Sequence, residues 1–180
     1  DNCVQGAEVG NPNLPWHSVS LLLPQNTEAQ NIEFEFTDFV DVEGTHLLYP
    51  YQAPRPLSIK EDLPFAKNEN VYASEEVYPA IYSSDVKTQY LNGYSFAFSG
   101  FTPVRYIPAT GKLSYAQKVT VRVQYSASRV DKSKMLNTSP EVQARVERLA
   151  QNPESIGLYS SNTRQKSVDG YELLVVTPQE

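Results

Sequence analysis

Sulfur and imidazole are nearly absent from these 180 residues, which include one cysteine, one methionine and two histidines. A single thiol, Cys3, excludes an internal disulfide and a thiolate metal cluster. It reads as a free thiol in an N-terminal tail; two residues stand ahead of it, which weakens a lipid-anchor reading. No block of like charge occurs, the net charge is −6 and the pI about 5.0, so the basic stripe that nucleic acid requires is missing. No apolar run is long enough to span a bilayer, so no membrane insertion is expected. There is no charged-then-apolar leader either, and an exported protein would already have lost it. No glycine-rich stretch opens a helix to cradle a phosphate, and no G-x-S-x-G elbow occurs. Neither a cofactor nor a metal is expected. Asp38, Asp41, Glu43 and His46 are close in sequence, but their spacing matches neither a calcium loop nor a zinc motif. Acids on one strand face leading into a turn are ordinarily just solvated.

What is present is alternation. In NIEFEFTDFV, Ile32, Phe34 and Phe36 alternate with Glu33, Glu35 and Thr37. In YSFAFSGF, Tyr94, Phe96 and Phe98 oppose Ser95, Ala97 and Ser99. In KVTVRVQY, Val119, Val121, Val123 and Tyr125 oppose Thr120, Arg122 and Gln124. A period of two with one apolar side describes strands whose sheet has one dry face. Shorter strands are expected at HSVSLLLP, GTHLLYP and TPVRYIP, with turns at Glu43-Gly44, Asn92-Gly93 and Thr110-Gly111. One-faced strands without intervening helices imply two stacked sheets. The expected fold is mainly β, a two-sheet antiparallel β-sandwich (jelly-roll-like) with one short C-terminal helix and a trailing strand.

Two regions break the alternation. Residues 50–79 hold five of the thirteen prolines and read as one long structureless loop, a kind that in compact domains is usually functional or disordered. SPEVQARVERLAQNP changes period: Val142, Val146, Leu149 and Ala150 share a helical face. Ser139 is the expected N-cap, Pro140 the first helical residue, and Asn152-Pro153 the stop. Residues 154–169 are polar and linker-like. GYELLVVTPQE then contains Leu173 to Val176, an apolar run suited to a strand buried on both faces. The division that follows is a tail over 1–9, a sandwich over 10–130, a helix and linker over 131–169, and a strand over 170–180 that belongs to a domain otherwise absent.

Three pieces in order carry a family resemblance: GNPNLP with the strand ending in LLLP; VYPAIY followed by SFAFSGFTPVRYIPATGKLSYAQKVTVRVQY; and YELLVVTP. Within the second, Pro103, Tyr106, Pro108, Thr110, Gly111 and Leu113 fall on a run typical of the family. Together they resemble the N-terminal prodomain of gingipain-like (C25) cysteine peptidases, over residues 10–126 and in outline beyond. The resemblance implies a prodomain of a secreted or cell-surface bacterial enzyme. It would keep its own peptidase catalytic domain latent and assist its folding, and then be cut away. The segment would have no catalytic residues of its own, and residues 170–180 would be the first strand of the caspase-like catalytic domain. Such enzymes mostly select Arg or Lys, so the loop over 50–79 would offer a basic plug: Arg55 first, between Pro54 and Pro56, then Lys60, then Lys67. Arg164 and Lys166 in the linker are the candidate activation cuts. Two other readings are a stand-alone adhesive or carbohydrate-binding domain, using tyrosines such as Tyr49, Tyr51, Tyr72, Tyr78, Tyr82 and Tyr90, and a chain that is itself an enzyme.

Overall fold

The computed structural model describes residues 3–6, 8–54, 58, 64–128, 135–159 and 171–176, with β1 and β8 described by backbone alone. Among the described residues eight strands run in chain order: β1 (Cys3–Gly6), β2 (Leu14–Leu22), β3 (Thr27–Val42), β4 (Lys87–Leu91), β5 (Tyr94–Phe101), β6 (Val104–Ile107), β7 (Lys112–Ala127) and β8 (Tyr171–Val176). One sheet has the order β1-β2-β5-β4; the other has β3-β7-β6, with β8 added to β7. The result is an antiparallel β-sandwich with few helical segments: α1 (Glu69–Tyr72), α2 (Pro140–Leu149) and a 3₁₀ helix over Pro153–Leu158. Residues expected to form an N-terminal tail instead supply β1, in which Cys3 pairs with His17.

Two compact units can be distinguished by their internal contacts. The first gathers Asp1–His17, Phe36–Tyr82 and Thr102–Gln117. Its core is Leu14 of β2 against Val104 and Tyr106 of β6, flanked by Leu48, Tyr78 and Leu113. The second gathers Ser18–Glu35, Ser83–Phe101 and Lys118–Glu180. Its core is Leu22, Tyr94 and Phe96 against Val142, Val146 and Ala150 of the α2 region and Tyr159.

That second core reverses one expectation. β5 is dry on both sides, because Ser95 and Ala97 are as fully buried as Tyr94 and Phe96. The aromatic side faces α2, whereas Phe101, in phase with Ser95 and Ala97, meets Phe34 of β3 at 5.2 Å between ring centroids. Alternation of size on β5 therefore separates two covered faces instead of a covered and a wet one. On β7 the expected alternation holds in part: Val119, Val121 and Val123 are buried and Arg122 reaches outward to Glu35 at 2.7 Å, but Thr120, expected on the outer side, is buried as well and Tyr125 is only half-buried. β3 alternates as expected up to Phe36. Asp38 then adopts φ 57°, and the half-buried aromatic position moves from even to odd at Phe39. One residue with left-handed backbone shifts the phase of a strand in this way.

The helix forms where its period placed it, with Pro140 at its start, but Ser139 makes no side-chain capping bond. Its amide instead donates to Asn137 Oδ1 at 2.9 Å. Packing does not stop at Asn152. The residues expected to begin a linker form the 3₁₀ helix, and Tyr159 is buried, its hydroxyl donating to the Leu23 carbonyl at 2.6 Å.

The strand at the end of the described chain is not an orphan. Tyr171–Val176 pairs antiparallel with β7, from Val119 opposite Val176 to Gln124 opposite Tyr171. An extended apolar segment satisfies its backbone by adding to an available sheet edge, whatever domain it belongs to. The GTHLLYP segment, expected to be a strand, is instead a strap outside the sheets, bridged at Pro50 to Pro12.

Candidate functional site

The long proline-rich segment is anchored at both ends, and GNPNLP is the anchor. Gly10 donates its amide to the Tyr51 carbonyl at 2.8 Å, Tyr51 donates to the Asn11 carbonyl at 2.8 Å, and Asn13 donates to the Tyr49 carbonyl at 3.1 Å. On the returning side, Asn68 donates its amide to the Gly10 carbonyl at 2.9 Å, and its side-chain Nδ2 donates to Asn11 Oδ1 at 2.9 Å. Gly10 has φ 89°, and a Cβ there would stand 3.2 Å from the Asn68 amide nitrogen. Only glycine allows the backbone of the returning segment to come this near at that φ. Asn68 also starts α1, its Oδ1 accepting from the Val71 amide at 3.4 Å. An asparagine before a helical turn is a capping signal, here inside a region expected to lack structure altogether.

Between these anchors the loop is clamped shut. Gln52 Nε2 donates to the Ala66 carbonyl at 2.8 Å, while Gln52 Oε1 accepts from the Ala66 amide at 2.9 Å. One side-chain amide thus reads both backbone groups of a residue fourteen positions on, as a neighbouring strand would. Tyr49 and Phe65 meet edge-on beside the clamp, their ring centroids 5.5 Å apart. Burial pushes the Tyr72 hydroxyl up to about 12, with Tyr106 and Tyr78 adding to the effect; it therefore stays a donor and holds the Leu48 carbonyl at 2.7 Å. A loop with fixed ends loses less freedom when its tip is captured.

Arg55 and Lys60 lie outside the described residues, as do Arg164 and Lys166. Lys67 is described, and its ammonium is engaged locally, 2.8 Å from Glu69 Oε2 and 5.0 Å above the Tyr72 ring. Gln52, Asn68 and Asn11 are the residues that sequence reasoning passed over. Asn11 lies within the family stretch; Gln52 carries no sequence signal, since its partner is fixed only by the closed loop.

The other candidates separate. His46 Nε2–H donates to the Glu43 carbonyl at 3.0 Å, and among the described residues no group of three or more His, Cys, Asp or Glu converges as a metal site. The tyrosines serve different ends: Tyr72 is buried, Tyr78 packs on the first core, Tyr82 lies 6.0 Å from Phe36, and Tyr90 donates to Glu28 at 2.8 Å. Two clefts open in the first unit, of about 390 Å³ beside Asp41, Arg105 and Lys112 and about 420 Å³ beside Glu8, Trp16 and Tyr78. Neither is lined by a histidine or cysteine among the described residues. The Arg105 guanidinium stacks 3.6 Å over Phe39, which accounts for its place in the first. No helix among the described residues is long and apolar enough to cross a membrane.

The C25 propeptide family model (Propeptide_C25) matches residues 1–148. No curated protein sequence matches the chain. Among solved structures, the chain is similar to one in the complex of Porphyromonas gingivalis RgpB pro- and mature domains. The TM-score is 0.59 and the identity 18%, over 85% of this chain and 78% of that one. It is also similar to a chain in the structure addressing zymogenic latency of gingipain K from Porphyromonas gingivalis. There the TM-score is 0.54 and the identity 19%, over 71% of this chain and 72% of that one. These likenesses are of fold, and the match along residues 1–148 is one of family: the chain belongs to the propeptide family of the C25 peptidases.

Proposed function

We propose that this chain holds a secreted gingipain-like cysteine peptidase latent, assists its folding and blocks its substrate pocket with a basic residue on the loop over 50–79. The observation that carries the reading is the Gln52–Ala66 clamp within a doubly anchored segment. A pocket inhibitor has to present its plug on a base that does not yield, and this base is hydrogen-bonded on both sides. The peptidase domain is the partner, and the chemistry resides there; this segment contributes no nucleophile.

Arg55 is the plug we favour. Pro54 and Pro56 restrict the backbone on either side, and proline after the basic residue makes a poor scissile bond. A guanidinium on a pocket carboxylate contributes about 1.5–3 kcal/mol. That is too little for tight inhibition, so surface outside the pocket and the covalent tether must contribute the rest. Lys60 is second. Lys67 is third, because it would first have to leave Glu69. Cleavage at Arg164 or Lys166 would sever the tether. Residues 170–180 would be the opening strand of the peptidase domain, so β8 would leave β7 when its own sheet forms.

The test is titration of the cognate peptidase with the purified chain. Wild type should inhibit, and Arg55→Ala should weaken inhibition by about tenfold or more, the equivalent of one charge-assisted hydrogen bond. Unchanged potency moves the plug to Lys60, and no inhibition by wild type removes the reading. A glycan array on which the wild-type chain binds would favour the carbohydrate reading instead.

A further inference from the structure

Leu47 is 83% exposed, Tyr49 66% and Phe65 57%. A lone surface leucine needs no explanation, but large apolar groups gathered on one rigid ridge do. The strap that carries two of them is held at several backbone groups. His46 donates its amide to the Gly111 carbonyl at 2.8 Å, and the His46 carbonyl accepts from Tyr106 Oη at 2.9 Å. Further along, the carbonyls of Leu48 and Tyr49 accept from Tyr72 Oη and the Asn13 amide. Leu48 turns inward onto the Leu14, Val104 and Tyr106 core, which leaves Leu47 and Tyr49 turned out on either side of it. Phe65 closes edge-on against Tyr49 from the far end of the loop. Of these residues Leu48 is the one that packs on the core, whereas Leu47, Tyr49 and Phe65 present most of their surface to solvent.

We propose that Leu47, Tyr49 and Phe65 form an exosite that docks on an apolar patch of the peptidase domain at the rim of its substrate cleft. The inference rests on the latency reading for its partner. Position selects the occupant. Tyr49 and Phe65 sit at the closure made by Gln52 and Ala66, so whatever captures the tip of the loop is brought alongside them. Half of the thirteen residues between the clamp partners, fully extended, reaches roughly 20 Å at most. The captured pocket and the docked ridge must therefore lie within that span on one surface. Rigid aromatic and aliphatic anchors lose little freedom on docking, and such groups dominate interface energies. This exosite supplies the extra-pocket contact that one basic plug needs.

The test uses the full chain and the cognate peptidase with its substrate pocket filled by a small covalent inhibitor, so that the plug cannot enter. Calorimetry should show wild type binding this blocked enzyme. Leu47→Asp with Tyr49→Asp should weaken that binding by about tenfold or more. The milder pair Leu47→Ser and Tyr49→Ser should weaken it in the same direction while keeping the wild-type unfolding midpoint, which separates lost docking from lost folding. Blocked enzyme that binds wild type and ridge variants equally, or binds neither, overturns the proposal. So does a ridge variant that abolishes self-association of the chain in sedimentation while peptidase binding stays intact; the ridge would then join two copies. If Arg55→Ala has no effect but the ridge variants still lose binding, the plug assignment fails and the exosite stands.

Discussion

The side chain of Asn152 holds the backbone of Leu22 on both sides. Its Oδ1 accepts from the Leu22 amide at 2.7 Å, and its Nδ2 donates to the Leu22 carbonyl at 2.9 Å and to Ser155 Oγ at 2.9 Å. Gln151 treats Ser20 and Ser18 in the same way, its Oε1 accepting from the Ser20 amide at 3.1 Å and its Nε2 donating to the Ser18 carbonyl at 3.0 Å. β1 pairs with β2 only as far as His17, so beyond it these amides stand where a neighbouring strand would. They fasten the α2 region to the second core. Asn152→Leu should leave two buried backbone groups of Leu22 without partners and lower stability by about 2 kcal/mol or more. Urea unfolding measures it, and a change under about 0.5 kcal/mol would show that the amide is not what fastens the helix.

Gly93 ends the β4–β5 turn with φ 86°, following Asn92 at φ 50°. A Cβ at Gly93 would stand 2.5 Å from the Leu136 backbone, which has no flexible side chain to move aside. Gly93→Ala should therefore cost more than the about 1–2 kcal/mol of a left-handed residue alone. Asn92→Gly should be close to neutral. Equal urea midpoints for Gly93→Ala and wild type would contradict the close approach.

Alkaline pH should unfold the protein in a definite window. Burial pushes Tyr159 and Tyr72 from the ordinary 10.0 up to about 12. The unfolded chain releases these protons near pH 10 while the folded chain retains them. Stability is therefore full below about pH 10 and falls as pH rises toward about 12. The thermal midpoint followed across that range should drop, and Tyr72→Phe with Tyr159→Phe should flatten the slope. Burial also raises Tyr78, Tyr90 and Tyr94, which leaves a residual slope of the same sign. A midpoint constant across the window would refute the prediction.

The Arg122–Glu35 pair is short, at 2.7 Å, but both side chains are well exposed. A double-mutant cycle should give a coupling below about 1 kcal/mol that shrinks further in salt. A coupling above about 2 kcal/mol would mean that the pair is shielded from solvent, against its exposure.

Periodicity alone located β3, β5 and β7, because alternation is a property of a single strand and needs no knowledge of its neighbours. The same holds for α2: Val142 and Val146 are one turn apart in any helix, and proline marked where it begins. The family was legible in GNPNLP and in the run from Pro103 to Leu113, whose turn and strand residues are consecutive in the chain. What remained hidden depended on closure over long distances. Only the folded chain decided that Tyr94 and Phe96 face α2, because the sequence of a strand does not say which of its faces meets which layer. Gln52 and Asn152 could not be singled out, since an amide that reads another residue's backbone carries no local pattern. The fate of Leu173 to Val176 was settled in the same way. Its apolar run called for a strand partner, but pairing is chosen by whichever edge is open, and here that edge belongs to β7.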